Sequence, residues 1–107
     1  MERVACLVIL LMLSAATAQA LEIGNPENGL RLASDVCSQC HSVRKGQLFS
    51  PNSRSPTFHE LATTPGMTVA ALTVALTTPH AGMPMFILTP EQRQDIIAYI
   101  LSLKEDN

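Results

Sequence analysis

The chain has 107 residues, enough for one domain, and carries a formal net charge of -2 at pH 7. Seven Lys and Arg stand against nine Asp and Glu. That balance lacks the basic surplus that nucleic acid attracts, so nucleic acid is not among the expected partners.

The first twenty residues read as a signal peptide. Arg3 and the amino terminus are positive, partly offset by Glu2. Val4–Leu13 is an apolar run, and Ser14–Ala20 is small and polar. Ala18-Gln19-Ala20 fits the A-x-A cleavage pattern, and Ala16-Thr17-Ala18 is a second such site. The apolar run falls short of the ~20 residues a spanning helix needs. The expectation is a cleaved segment over 1–20 and a mature domain over 21–107, with no stable membrane span after cleavage. Cys6 leaves with the signal. It does not follow the apolar run, so it is a poor lipid-attachment cysteine. A mature domain this small is marginal without a staple.

Asn25-Pro26 then starts a helix, with Asn as cap and Pro in the first turn. Leu30, Ala33, Val36 and Cys37 recur at helical spacing and predict a helix over Pro26–Val36. Gly29 lies inside it, where glycine costs about 1 kcal/mol against alanine. A second helix crossing close by would account for it. Ser42–Ser55 shows no periodicity and reads as a loop. Ser55-Pro56 begins a short helix through Leu61, and Thr63–Gly66 breaks it. Thr68 caps a segment to about Leu76, with Val69, Leu72, Ala75 and Leu76 as its apolar face. Pro79 stops it, and Thr77–Leu88 is a loop. Thr89-Pro90-Glu91-Gln92 supplies a cap, a first-turn proline and a capping-box glutamine. The last helix runs from Pro90 to about Leu103. Ile96, Ile97, Ile100 and Leu101 form its stripe, and Lys104 suits its C-terminal end. No strand and no repeat is predicted.

Between the first helix and the first loop stands Cys37-Ser38-Gln39-Cys40-His41. This is C-x-x-C-H, the signature of covalent haem attachment. Each thiol can add to one vinyl group, and the two intervening residues let both reach. The next residue, His41, turns beneath the ring and offers a nitrogen to the iron. A haem bonded at three points would supply the apolar centre that the short chain lacks. Candidates for the opposite axial position are Met67, Met83, Met85, His59 and His80. A methionine in a loop between helices folds over that face better than one at a helix start. His80-Ala81-Gly82-Met83-Pro84-Met85-Phe86 is therefore the best source. Met85 and Phe86 read as packing at the haem edge. His59 and His80 read as solvated or hydrogen-bonded imidazoles.

These motifs resemble class I c-type cytochromes of the small bacterial monohaem kind. The resemblance extends to Gly29 and Ala33 before the first cysteine and to Tyr99-Ile100 in the last helix. In that family these positions mark the crossing of first and last helices. Ala33 replaces a larger residue often found there, which suggests a looser contact. The resemblance implies an all-α fold, a compact cytochrome c fold with three to four helices wrapped around one covalent haem c. Carried over by position, Met83 in Met83-Pro84 is the sixth iron ligand. Pro56 supplies the carbonyl that holds the axial histidine, with Pro51 as the alternative. The implied role is periplasmic one-electron transfer, as a soluble shuttle or as a small subunit of a periplasmic oxidoreductase. It is not an enzyme in its own right. Its partners would be redox protein donors and acceptors. Ala81, Gly82, Met85 and Phe86 would form an apolar docking rim, and Arg44 and Lys45 would steer an acidic partner.

The competing role is a gas-binding or peroxidatic haem protein with an open or labile sixth site. Two further readings of the cysteines are weaker. A thiol oxidoreductase would set C-x-x-C near a βαβ pattern. A zinc site would need a fourth, distant histidine. Oligomeric state and partner identity stay open at this level.

Overall fold

The computed structural model describes residues 24–106. The signal-peptide reading of residues 1–20, with Cys6 and both cleavage sites, lies outside them. Four helices follow in chain order: α1 (Pro26–Val36), α2 (Phe58–Thr63), α3 (Val69–Thr77) and α4 (Pro90–Ser102). A 3-10 turn over Leu103–Asp106 continues α4. Among the described residues there is no strand, only an isolated bridge between His80 and Met83. The fold is all-α.

Each helix begins where its side chains satisfy the free amides of a first turn. The Asn25 side chain accepts from the Asn28 amide, and Pro26 fills a position that needs no N–H. Thr68 caps α3 by accepting from Ala71. Thr89 and Gln92 form a reciprocal capping box at α4. The start of α2 differs from the expectation at Ser55-Pro56. Thr57 and Glu60 form a capping box there, so the helix opens at Phe58 and Pro56 stays outside it. The Phe58 amide donates to the Ser42 carbonyl at 2.9 Å, which ties α2 to the segment after α1.

The crossing of α1 and α4 is the frame. A Cβ on Gly29 would lie 2.0 Å from the Asp95 carbonyl oxygen and 2.8 Å from the Tyr99 Cβ. No side chain fits there. One turn on, Ala33 is completely buried. Its small side chain stands in the core cluster with Ile96 and Tyr99. The Asn25 amide also donates to Asp95 Oδ1 at 2.7 Å, pinning the start of α1 to α4.

The last helix is buried on more than a stripe. Ile96–Ile100 are all buried, because α1, α2 and α3 pack around this one segment. Burying a side chain such as Ile96 contributes roughly 1.5–3 kcal/mol. Phe58 and Tyr99 stack obliquely in the same core, with ring centroids 6.3 Å apart. The Tyr99 hydroxyl donates to the Val43 carbonyl, so the loop after α1 hangs from α4. The predicted face of α3 is only partly core: Leu72 is buried, Leu76 is half-buried, and Val69 and Ala75 are exposed. Ala75 and Leu76 also line a cleft, Leu76 while packing against the core.

Candidate haem site

The cleft is built from two ends of the fold. One wall is the end of α1 and the turn after it: Val36, Cys37, Gln39, Cys40 and His41. The facing wall is the loop before α4, through Gly82, Met83, Pro84 and Phe86. Between them lies a cleft that is partly open to solvent. The floor is apolar where Ala75, Leu76, Leu88 and Ile96 reach it. A polar mouth opens past Asn52, Arg54, Ser55 and Pro56.

Local structure sets the first wall. The Cys37 amide still bonds back to Ala33 at 2.8 Å, as the last bond of the helix. The Cys40 and His41 amides both bond to the Cys37 carbonyl, at 3.2 and 3.0 Å. The turn is thus tight enough to present both thiols and the imidazole along one wall. Cys37 and Cys40 are not joined in a disulfide. Burial pushes the Cys37 thiol up to about 11. Among the described residues there is no strand, so no βαβ unit flanks the pair, and that counts against the thiol oxidoreductase reading.

His41 Nδ1 lies 2.6 Å from the Pro56 carbonyl oxygen. A carbonyl only accepts, so Nδ1 carries the proton and Nε2 keeps its lone pair. The ring also sits against Phe58, with centroids 5.6 Å apart. Pro51, the other proline considered for this contact, lines a polar cleft with Ser38, His41 and Arg44, while the ring hydrogen bond goes to Pro56.

The second wall is a tight turn. The Met83 amide donates to the His80 carbonyl at 3.3 Å. Gly82 has φ of 81°, in the region that side chains rarely adopt. A Cβ on Gly82 would meet nothing within 4 Å, so the demand for glycine is conformational. Met83 is half-buried, while Ala81, Gly82, Met85 and Phe86 are exposed. Met83, Met85 and His80 all line the cleft. Met67 packs against the core instead, and neither it nor His59 is among the lining residues. Sequence reasoning missed Ala75 and Leu76 as cleft residues and Asn52 and Arg54 as its mouth. The only available signal was that α3 carries more apolar residues than one packed face requires.

The donor set suits a haem. Two thiols and an imidazole with a free Nε2 stand on one wall, a thioether stands on the other, and the floor between is apolar. Among the described residues no cluster of three or more His, Cys, Asp or Glu could hold a bare metal ion. An all-helical fold around such a cleft defines a protein of covalent haem.

Comparison with known proteins agrees. The cytochrome c family matches residues 26–104. Cytochrome c-552 of Bradyrhizobium diazoefficiens is 35% identical over 99 residues, spanning 92% of this chain and 91% of the relative. No solved structure gives a significant match. The chain belongs to the cytochrome c family: it is an electron-transfer protein with covalently bound haem c. No helix among the described residues is long and apolar enough to cross a membrane.

Proposed function

We propose that this protein is a periplasmic one-electron carrier whose iron is held between His41 and Met83. In this reading residues 1–20 direct export and are removed, leaving 21–107 as one domain. Cys37 and Cys40 would hold the haem through thioether bonds, and each S–H adding whole across a vinyl group would need no oxidant. Bound haem supplies a ferric/ferrous couple.

The observation that carries the reading is the His41–Pro56 contact facing the Met83 turn across one cleft. His41 donates a hydrogen bond from its Nδ1–H to the Pro56 carbonyl and has Nε2 left for iron. Such a bond fixes the ring and raises its basicity. Met83 would supply the thioether from the other side, a pairing that raises the reduction potential relative to two histidines. With His41 and Met83 both holding the iron, the protein around it would need little rearrangement between its two redox states. Val36, Leu76, Ile96 and Phe86 keep water from the ring. The exposed rim of Ala81, Gly82, Met85 and Phe86 leaves one edge for a redox partner. Such encounters are small, below about 1,200 Å². The same rim would serve a free shuttle or a subunit of a periplasmic oxidoreductase.

Optical spectroscopy of the haem-loaded protein tests this. Expected are a methionine-to-iron charge-transfer band in the ferric form and little binding of carbon monoxide to the ferrous form. Absence of the band with ready carbon monoxide binding would replace carrier chemistry with gas binding or peroxidatic chemistry.

A further inference from the structure

The loop that presents Met83 is long and mostly exposed, and it needs an anchor to hold a weak thioether in place. The end of α3 provides one. In a continuing helix the Ala75 carbonyl would accept from the amide four residues on. That residue is Pro79, which has no N–H. The carbonyl is left free by the same residue that stops the helix. His80 meets this need: its Nε2 lies 3.1 Å from the Ala75 oxygen. A carbonyl only accepts, so the imidazole donates from Nε2. The same residue's backbone carbonyl accepts the Met83 amide at 3.3 Å, and His80 and Met83 form the bridge that closes the turn.

We propose that His80 is a positioning residue. It latches the Met83 turn onto the C-terminal end of α3 and so keeps the sulfur on the iron. The proposal rests on the reading of Met83 as the sixth ligand. Its side chain grips one element while its main chain grips the ligand's own amide. Releasing the side-chain grip frees the turn to swing without unfolding the core, because none of the buried residues of the core cluster comes from the turn. Any exogenous ligand must wait for the turn to open. Its apparent affinity therefore scales with the open fraction.

The test is titration of the ferric haem-loaded protein with imidazole, followed optically, alongside the methionine-to-iron band and the unfolding midpoint. His80→Phe keeps a ring but has no donor, and His80→Gln keeps a donor without the ring. His80→Phe is expected to bind imidazole about fivefold more tightly, the change that losing one net hydrogen bond supplies, with a weakened band. His80→Gln is expected to stay within about twofold of the parent. Imidazole affinity in His80→Phe equal to the parent, even with a lower unfolding midpoint, would overturn the latch and leave a structural role. A parental His80→Phe with a loosened His80→Gln would also overturn it, in favour of ring packing. Met83→Ala separates the two levels. If it gains imidazole affinity while His80→Phe does not, only the latch fails. If Met83→Ala matches the parent, the ligand reading fails and the latch with it.

Discussion

His41 and Pro56 are joined by a 2.6 Å hydrogen bond from the ring Nδ1 to a backbone carbonyl, although a fourteen-residue stretch separates them in the chain. That contact decides the tautomer of the imidazole. It depends on Pro56 lying just before the α2 cap rather than inside the helix, where its carbonyl would belong to the helix ladder.

Loosening this contact should raise the reduction potential. Pro56→Gly keeps the carbonyl but removes the fixed φ that aims it. A weaker bond makes His41 less basic and favours ferric iron less. Redox titration should show a higher midpoint than the parent, together with a stability loss of about 0.4–1 kcal/mol from the freer unfolded chain. A lower or unchanged midpoint would count against the role of the carbonyl.

Gly29→Ala should destabilise despite the better helix propensity of alanine. The gain from propensity is about 1 kcal/mol. Against it, the new methyl would lie 2.0 Å from the Asp95 oxygen, and α1 and α4 would have to part. Overpacking of this kind costs typically 1–3 kcal/mol. Denaturant unfolding should give a net loss. A neutral or stabilised variant would mean that the helices separate at little cost.

Tyr99→Phe removes the hydroxyl that holds Val43 and should cost about 1 kcal/mol. Burial raises the Tyr99 pKa from its ordinary 10.0, partly opposed by the nearby Arg44 charge. The sign follows: the fold prefers the neutral phenol. Its contribution is complete below pH 10 and fades as pH rises through the raised value. Stability measured from neutral to strongly alkaline pH should fall less steeply for Tyr99→Phe than for the parent. Parallel curves would remove Tyr99 from the alkaline response.

Cys37→Ser combined with Cys40→Ser should abolish covalent haem. Protein produced in an exporting, haem-attaching host should carry no haem through a denaturing gel. Haem that stays with the double variant under denaturation would place the attachment elsewhere.

Much of this molecule is set by near neighbours, and those parts are legible in the chain. Asn25, Thr68 and Thr89 cap their helices through amides only three residues away, so short-range chemistry marks each start. The C-x-x-C-H turn is equally local, because its carbonyl at Cys37 binds amides within the motif itself. Even Gly29 announced a close crossing, since its cost in a helix demanded a steric reason.

What only the tertiary structure decided joins residues far apart. The Thr57–Glu60 cap of α2 is itself a local T-x-x-E signal, but only the folded chain brings the Pro56 carbonyl just before it to His41. Ala75 and Leu76 looked like core and also line the cleft, because one stripe of α3 cannot show whether a helix or a flat prosthetic group lies against it. Tyr99 met Val43, Asn25 met Asp95 and His80 met Ala75 only once the helices had packed. Caps and turns are settled by bonds within a few residues. Which carbonyl receives a distant side chain depends on how the helices cross, and that is an outcome of the whole core.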